Sequence, residues 1–414
     1  MTPARWPRDE PLNDRLLVVD PLSEARFDVH VRDLPDWLLP GDLLVVNDAA
    51  TLPASLQASD ARSRHFELRL AAHLRDERWR AVLFGEGDWR TRTELRAAPP
   101  ALATGDVLHV APTLSAVVES VELGSPRLIV VRFSLAGAAL WSALYRSGRP
   151  VQYAHAAAPL EIWHVQTPFA SRPWAVEMPS AGRPLSWALV AELKRQGIGV
   201  APLTHAAGLS STGDSAIDAL LPLPERFDLP DATVRAVVTA RAAGRRIVAV
   251  GTTVVRALEG CAALHGGELV AGEGVTDLRI APGFRPRIVD GVLTGLHDVG
   301  SSHRELVGAF APQGLLAESL RNADGAGYLG HEFGDVCLVL PLHRVVPLSV
   351  ASSPETQRDP HEQENEGGKG AHHYEVGDEI RVGDEQDASG HLRQSPLLLA
   401  VNEDSQADRP DRKR

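Results

Sequence analysis

Within residues 35–56 an apolar run, residues 43–46, Leu-Leu-Val-Val, is opened by a Pro40-Gly41-Asp42 turn and closed by Asn47-Asp48. A continuous apolar run between turn signals predicts a strand covered on both faces. The texture changes over residues 64–133. There RHFELRLAAHL, RWRAVLFG, GDVLHVA, LSAVVESVE and PRLIVVRFS are short, partly alternating segments parted by Gly, Pro and Asp. Strands at that spacing, with no long helical period between them, predict a small antiparallel barrel or sandwich. Residues 57–148 are therefore read as an all-β insert, with 1–56 and 149–350 forming two parts of an α/β body.

From about residue 160 strands and helices alternate. Residues 184–197 are amphipathic at helical period, with Gly197 as a stop, and 198–205 (IGVAPLTH) reads as a strand running into a polar loop. A helix is expected over 230–244 and a strand over 245–250, leading through GTTVVRALEGCAALHG into another helix. Residues 277–284 (DLRIAPGF) and 288–297 (IVDGVLTGLH) read as strands, 301–311 as a helix capped by serine, and 330–341 as a last strand. Such alternation predicts a mostly parallel sheet with helices. Beyond residue 350 no apolar period remains, and the segment 351–414, rich in Glu, Asp, Gln, Gly and His, reads as disordered. Its His361, His372 and His373 read as solvated. Removing it is expected to leave the melting temperature nearly unchanged.

Composition narrows the class. The 414 residues are ample for two or three domains, and 44% hydrophobic with 23% charged is ordinary for a globular chain. Two cysteines, Cys261 and Cys337, provide neither a disulfide framework nor paired zinc ligands, so no metal is expected and a reducing compartment fits. The N-terminal stretch has no apolar core of a signal peptide and no apolar run reaches membrane-span length, which makes a cytoplasmic protein the expectation. The net charge of −12 argues against broad nucleic-acid affinity. After residue 351 there are 15 acidic and 8 basic residues, a net of −7, which leaves −5 for the body. Only three lysines occur, so positive charge is almost wholly arginine.

Three loops carry candidate chemistry. In residues 245–259 a buried strand ends at Gly251, and Thr252 and Thr253 open a helix with Arg256 one turn in. Glycine permits close approach of a ligand, and the free amides of a helix start favour an anion. A Thr-capped helix with no ligand fits the same pattern equally well. Ser180-Ala181-Gly182 is a small polar turn before a helix, and residues 203–214 carry His205 and Gly208 after a strand. His205 and His297 titrate near neutrality and are candidate bases, although most lone histidines are structural. There is no Ser-His-Asp order, Walker loop or G-x-G-x-x-G fingerprint.

Taken together, PGDLLVVND, VQTPFA, PSAG, VAVGTTVVRALE, IAPGF, the T-x-x-H ending at His297 and the F-G-D ending at Asp335 resemble, in order and spacing, the S-adenosylmethionine:tRNA ribosyltransferase-isomerases of queuosine biosynthesis. The resemblance covers about residues 35–340. It implies an α/β body with an inserted β-barrel. It also implies transfer and isomerisation of the ribosyl part of S-adenosylmethionine onto 7-aminomethyl-7-deazaguanine in tRNA, giving epoxyqueuosine, adenine and methionine. S-adenosylmethionine would be the ribosyl-donating substrate and tRNA the partner. His205, His297 and Glu225 would be the catalytic candidates, and Ser180, Gly182, Gly208, Gly251, Thr252, Thr253 and Arg256 the binding ones. The chain departs from the pattern at Asp48-Ala49-Ala50, where an arginine is usual. It departs again at Arg183-Pro184-Leu185 in place of Leu-His-Phe, and at Leu220 and Leu223 in a stretch usually rich in histidine. The alternative is a paralogue that keeps the fold and a nucleoside or sulfonium pocket but acts on another substrate or only binds.

Overall fold

The computed structural model describes residues 1–342 except 75 and 299; the acidic segment 351–414 lies outside the described residues. Its main body is a nine-stranded sheet in the order Gly272–Thr276, Glu225–Leu229, Gly199–His205, Leu43–Asn47, Ile247–Val250, Gly291–Gly295, Val336–Val339, Arg15–Val19 and Arg26–His30. The four central strands, from Gly199–His205 to Gly291–Gly295, run parallel. Both edges are antiparallel, save for the parallel pairing of Val336–Val339 with Arg15–Val19.

Leu43–Asn47 and Ile247–Val250 are buried along their whole length, and their alternate residues divide between two cores. Leu43, Val45, Ile247 and Ala249 pack with the helices Asp231–Ala242, Thr252–Leu264 and Gln313–Gly325. Leu44, Val46, Val248 and Val250 pack with Trp37 and the helix Trp187–Arg195. A strand covered on both sides has no polar face to show, which is why its sequence reads as an unbroken apolar run. Ser186 caps Trp187–Arg195 by accepting from the Leu189 amide, and Gly197, at φ +79°, makes the left-handed exit that only glycine adopts freely.

The second feature is a closed six-stranded barrel of Ser55–Ser59, His65–His73, Arg78–Phe84, Val107–Ala111, Leu114–Val121 and Leu128–Phe133, antiparallel at every pairing. Its interior is filled by Leu56, Phe66, Leu68, Trp79, Leu83 and their neighbours. The stretch read as all-β also holds a helix, Gly137–Ser147, whose Leu140, Ala143 and Leu144 close onto the barrel core. Apolar residues three and four apart suffice for that helix in a region otherwise dense in strands.

Two further readings are corrected. Residues 277–284 form no strand: the strand is Gly272–Thr276, and the Pro282-Gly283 turn follows a single buried residue, Ile280. Within 288–297 only Gly291–Gly295 is strand. Among the described residues no helix is long and apolar enough to cross a membrane.

Candidate functional site at the carboxyl edge of the parallel strands

Parallel strands deliver their following loops to one edge of the sheet, where ligands bind in open α/β folds. Here four chain segments leave that edge: Asn47-Asp48, the loop after His205, Gly251-Thr252, and Gly295 to His297. Gly251 sits at φ +98° between strand and helix, a conformation closed to other residues without strain, and its amide donates to Leu293 O at 2.8 Å. The turn aims the first amides of Thr252–Leu264 at the edge. Asn47 ties the neighbouring strands together: its Oδ1 accepts from the His205 amide and its Nδ2 donates to His205 O, both at 3.0 Å. The Asn47 Nδ2 also lies 3.2 Å from the Thr253 hydroxyl.

A cavity of about 280 Å³ opens at this edge. Ser180, Gly208, Glu225, Gly251, Thr252, Thr253, Arg256 and His297 all line it. Two other candidates do not. Gly182, the last residue of the Ser180–Gly182 turn, is buried away from the cavity, where an added Cβ would meet Phe169 and Thr167 at 3.6 and 3.7 Å. His205 is completely buried behind Glu225, its Nε2 3.3 Å from Glu225 Oε2, with no hydrogen-bond partner on either ring nitrogen among the described residues. Burial, reinforced by the Arg256 charge, holds its imidazole neutral, far below its ordinary pKa.

Arg256 is not a free surface residue. It pairs with Glu225 Oε2 and donates through Nε to Leu278 O at 3.3 Å, while its Nη2 is buried without a partner among the described residues. Glu225 also accepts from the Gly208 amide at 2.8 Å. Burial nonetheless pushes the Glu225 carboxyl up, against the pull of Arg256 and of that amide.

His303, Glu177 and Tyr153 were not among the residues singled out in the sequence, and Thr294 entered there only as the start of the T-x-x-H motif. His303, in the first turn of Ser302–Val307, meets the Thr252 hydroxyl through Nδ1 at 2.9 Å, and His297 meets Thr294 through Nε2 at 2.8 Å. The two imidazoles stack, centroids 4.9 Å apart at 17°. Burial first, then His303 and the other nearby positive groups, drives His297 well below the ordinary histidine range; burial, then Arg256, brings His303 to about 4. Both are neutral at physiological pH. Glu177 accepts from the Tyr153 hydroxyl and from the Ser210 amide, and burial raises its carboxyl too. Beyond Glu177, Ser180, His297 and His303 the cavity continues into a second lobe lined by Tyr153, His331 and Glu332.

The arrangement places two neutral imidazoles, two carboxyls of raised pKa and a helix start around one cavity. Proton removal, proton return and anion binding are the chemistry these groups serve.

Comparison with known proteins follows the same line. Residues 2–339 match the family described as queuosine biosynthesis protein. An S-adenosylmethionine:tRNA ribosyltransferase-isomerase from Thermosynechococcus vestitus is 36% identical over 344 residues, spanning 81% of this chain and 90% of the relative. A protein of the same name from a Synechococcus species is 38% identical over 340 residues, spanning 79% and 89%. A solved S-adenosylmethionine tRNA ribosyltransferase from Thermotoga maritima is 26% identical, with a TM-score of 0.44, over 82% of this chain and 96% of that one.

Proposed function

This chain belongs to the queuosine biosynthesis protein family, and from that premise we propose that it is an S-adenosylmethionine:tRNA ribosyltransferase-isomerase whose reaction takes place in the cavity at the carboxyl edge of the sheet. It transfers and isomerises the ribosyl moiety of S-adenosylmethionine onto 7-aminomethyl-7-deazaguanine in tRNA, and releases adenine and methionine. Reaction with tRNA assigns the work to the cytoplasm.

The observation that carries this reading is the neutral pair His297 and His303, bonded to Thr294 and Thr252 beside the start of Thr252–Leu264. The reaction needs a base for the proton beside the sulfonium. His297 borders the cavity, is uncharged and, unlike His303, is not tied to Thr252, so it is assigned as the base; His205, sealed behind Glu225, packs against Glu225 instead. Departing adenine needs a proton, and Glu225, the carboxyl on the cavity wall that burial shifts upward against the pull of Arg256, is the group assigned to deliver it. The methionine carboxylate is held by the amides and hydroxyls of Thr252 and Thr253, with Ser180 and the backbone at Gly208 and Gly251 against the rest of the substrate. Arg256, already paired with Glu225, contributes its charge and its unpartnered Nη2.

The tRNA partner is served by a larger groove along the barrel, lined by His73, Trp141, Trp174 and Arg226 and reaching Glu225 from the other side. Arg226 lies 3.5 Å over the half-buried Trp174 ring, and aromatic and arginine planes are what unstacked bases rest on.

The test is product analysis. Incubation with S-adenosylmethionine and tRNA bearing 7-aminomethyl-7-deazaguanine is expected to yield epoxyqueuosine in the digested nucleosides by mass spectrometry. Adenine release with no change in the tRNA, or no turnover at all, would refute the assignment.

A further inference from the structure

At the second lobe of the cavity, whose lining includes His331 and Glu332, those two side chains meet His155, and neither the binding nor the proton-transfer roles use any of the three. His155 comes from the loop after the barrel; His331 and Glu332 come from the turn between Leu329–Gly330 and Val336–Val339. The ligating atoms of all three lie within 4.8 Å of one another. His155 Nε2 is 3.0 Å from Glu332 Oε2, the two imidazoles are 4.4 Å apart centre to centre, and Asp298 Oδ2 stands 3.6 Å from His331 Nε2.

The geometry points to a binding site for a single first-row divalent cation of the zinc type, held by His155, His331 and Glu332, beside the second lobe that His331 and Glu332 line. Two imidazoles and a carboxylate form a borderline donor set that suits zinc, and three protein ligands leave a fourth tetrahedral position for water, Asp298 or a substrate oxygen. With bonds of about 2.1 Å, tetrahedral ligands stand about 3.4 Å apart. The His155–Glu332 pair is already near that spacing, and the widest separation in the group has to close by no more than about 1.4 Å, within reach of ring rotation.

The turn that carries two of the donors is held rigidly. His331 sits at φ +67°, left-handed backbone rare for histidine, with the Gly334 amide donating to its carbonyl at 3.0 Å. Asp335 pins the turn from behind: its Oδ2 accepts from the Leu329 amide at 2.7 Å and its Oδ1 from Arg8 at 2.7 Å and the Arg15 amide at 2.9 Å. An ion pair between His155 and Glu332 explains their contact without a cation. It leaves unexplained why a second imidazole is brought against the first in a disfavoured conformation, with His331 and Glu332 lining the same lobe as His297 and His303. The absence of paired cysteines, from which the sequence reading excluded a metal, does not bear on a histidine and carboxylate set. A cation here would offer an anchor for a phosphate or hydroxyl oxygen of a ligand in the first lobe.

The site is testable independently of the activity, on the full chain stripped of metal with a chelator and titrated with zinc chloride by calorimetry. One equivalent is expected to bind, and cobalt in its place is expected to give d–d absorption bands without thiolate charge transfer. His155→Ala, Glu332→Gln and His331→Asn, the last chosen because asparagine tolerates positive φ, should each weaken zinc binding at least tenfold with far-UV circular dichroism unchanged. A His372→Ala/His373→Ala double variant should bind as the parent does. No binding by the parent, equal affinity in the three cavity variants, or a loss confined to the double variant would overturn the site. If His155→Ala fails to fold, the cobalt spectrum of Glu332→Gln, at a half-buried position, decides the question alone.

Discussion

Thr252 shows how a residue's role changes once its neighbours are known. The sequence places it at a helix start after a buried strand, where a hydroxyl either caps the helix or meets a ligand. In the structure its hydroxyl meets His303 Nδ1 rather than a first-turn amide, so it orders the stacked histidines as well as facing the cavity. Thr252→Val is expected to weaken S-adenosylmethionine binding by about 1–2 kcal/mol, the range for one lost hydrogen bond, with the fold intact. Unchanged affinity by calorimetry would remove Thr252 from the binding set. His303 itself was not legible: a lone histidine in the first turn of a short helix carries no periodic signal, and only packing against Thr252 and His297 reveals it. The same packing makes a pH prediction. His303 falls from 6.5 to about 4 on folding, so between those values the unfolded chain binds more protons than the folded one. Its contribution is present in full above about pH 6.5 and is lost as pH falls toward 4, at up to about 1.4 kcal/mol per pH unit. His303→Gln is expected to flatten the stability profile across that window by about one proton, read from urea unfolding at stepped pH. An unchanged slope would show that His303 is not held neutral.

At the scale of elements, local signals succeeded where one rule dominates. The strand spacing of residues 64–133 is visible because turn signals part the short apolar segments, although only some of them, such as Leu114–Val121, alternate in burial while His65–His73 is buried on both faces. The helix Gly137–Ser147 was absorbed into that stretch because its short apolar stripe resembles another half-buried strand. The strand expected over 277–284 failed because Ile280 is buried for the cavity's sake and not by a sheet. Glu225–Leu229, which carries a catalytic candidate, was not read as a strand because its pattern is short and mostly polar. The barrel also hides a feature no propensity would suggest. Glu67 is buried in the strand His65–His73, accepts from Arg69 Nε at 2.6 Å and pairs with Arg96. Burial pushes its carboxyl up, and the two arginines outweigh that and hold it below the ordinary range. Removing one member of such a set strands buried charge. Glu67→Ala is expected to destabilise by about 3–5 kcal/mol in denaturant unfolding. A loss below about 1 kcal/mol would mean that the arginines find other partners.

At the scale of the molecule, the alternation of strands and helices gave the α/β class, and the buried runs 43–46 and 247–250 gave the centre of the sheet. The strand order was beyond reach, because Arg15–Val19 and Val336–Val339 meet across nearly the whole chain and nothing local encodes the pairing. The edge carrying the cavity was legible through one argument, that loops after parallel strands share an edge. This grouped Gly251, Thr252, Thr253 and His297 correctly in space and took His205 too far, since a strand's last residue can be sealed beneath the edge as easily as exposed on it. Removal of the proton beside the sulfonium is proposed for this one cavity, with His297 taking it. The most direct measurement is the rate of adenine release from S-adenosylmethionine with tRNA bearing 7-aminomethyl-7-deazaguanine, parent against His297→Gln. Adenine should appear only with the tRNA, and the variant should be slower by on the order of 100-fold or more with S-adenosylmethionine affinity little changed. Equal rates in parent and variant, or no adenine from the parent, would contradict it.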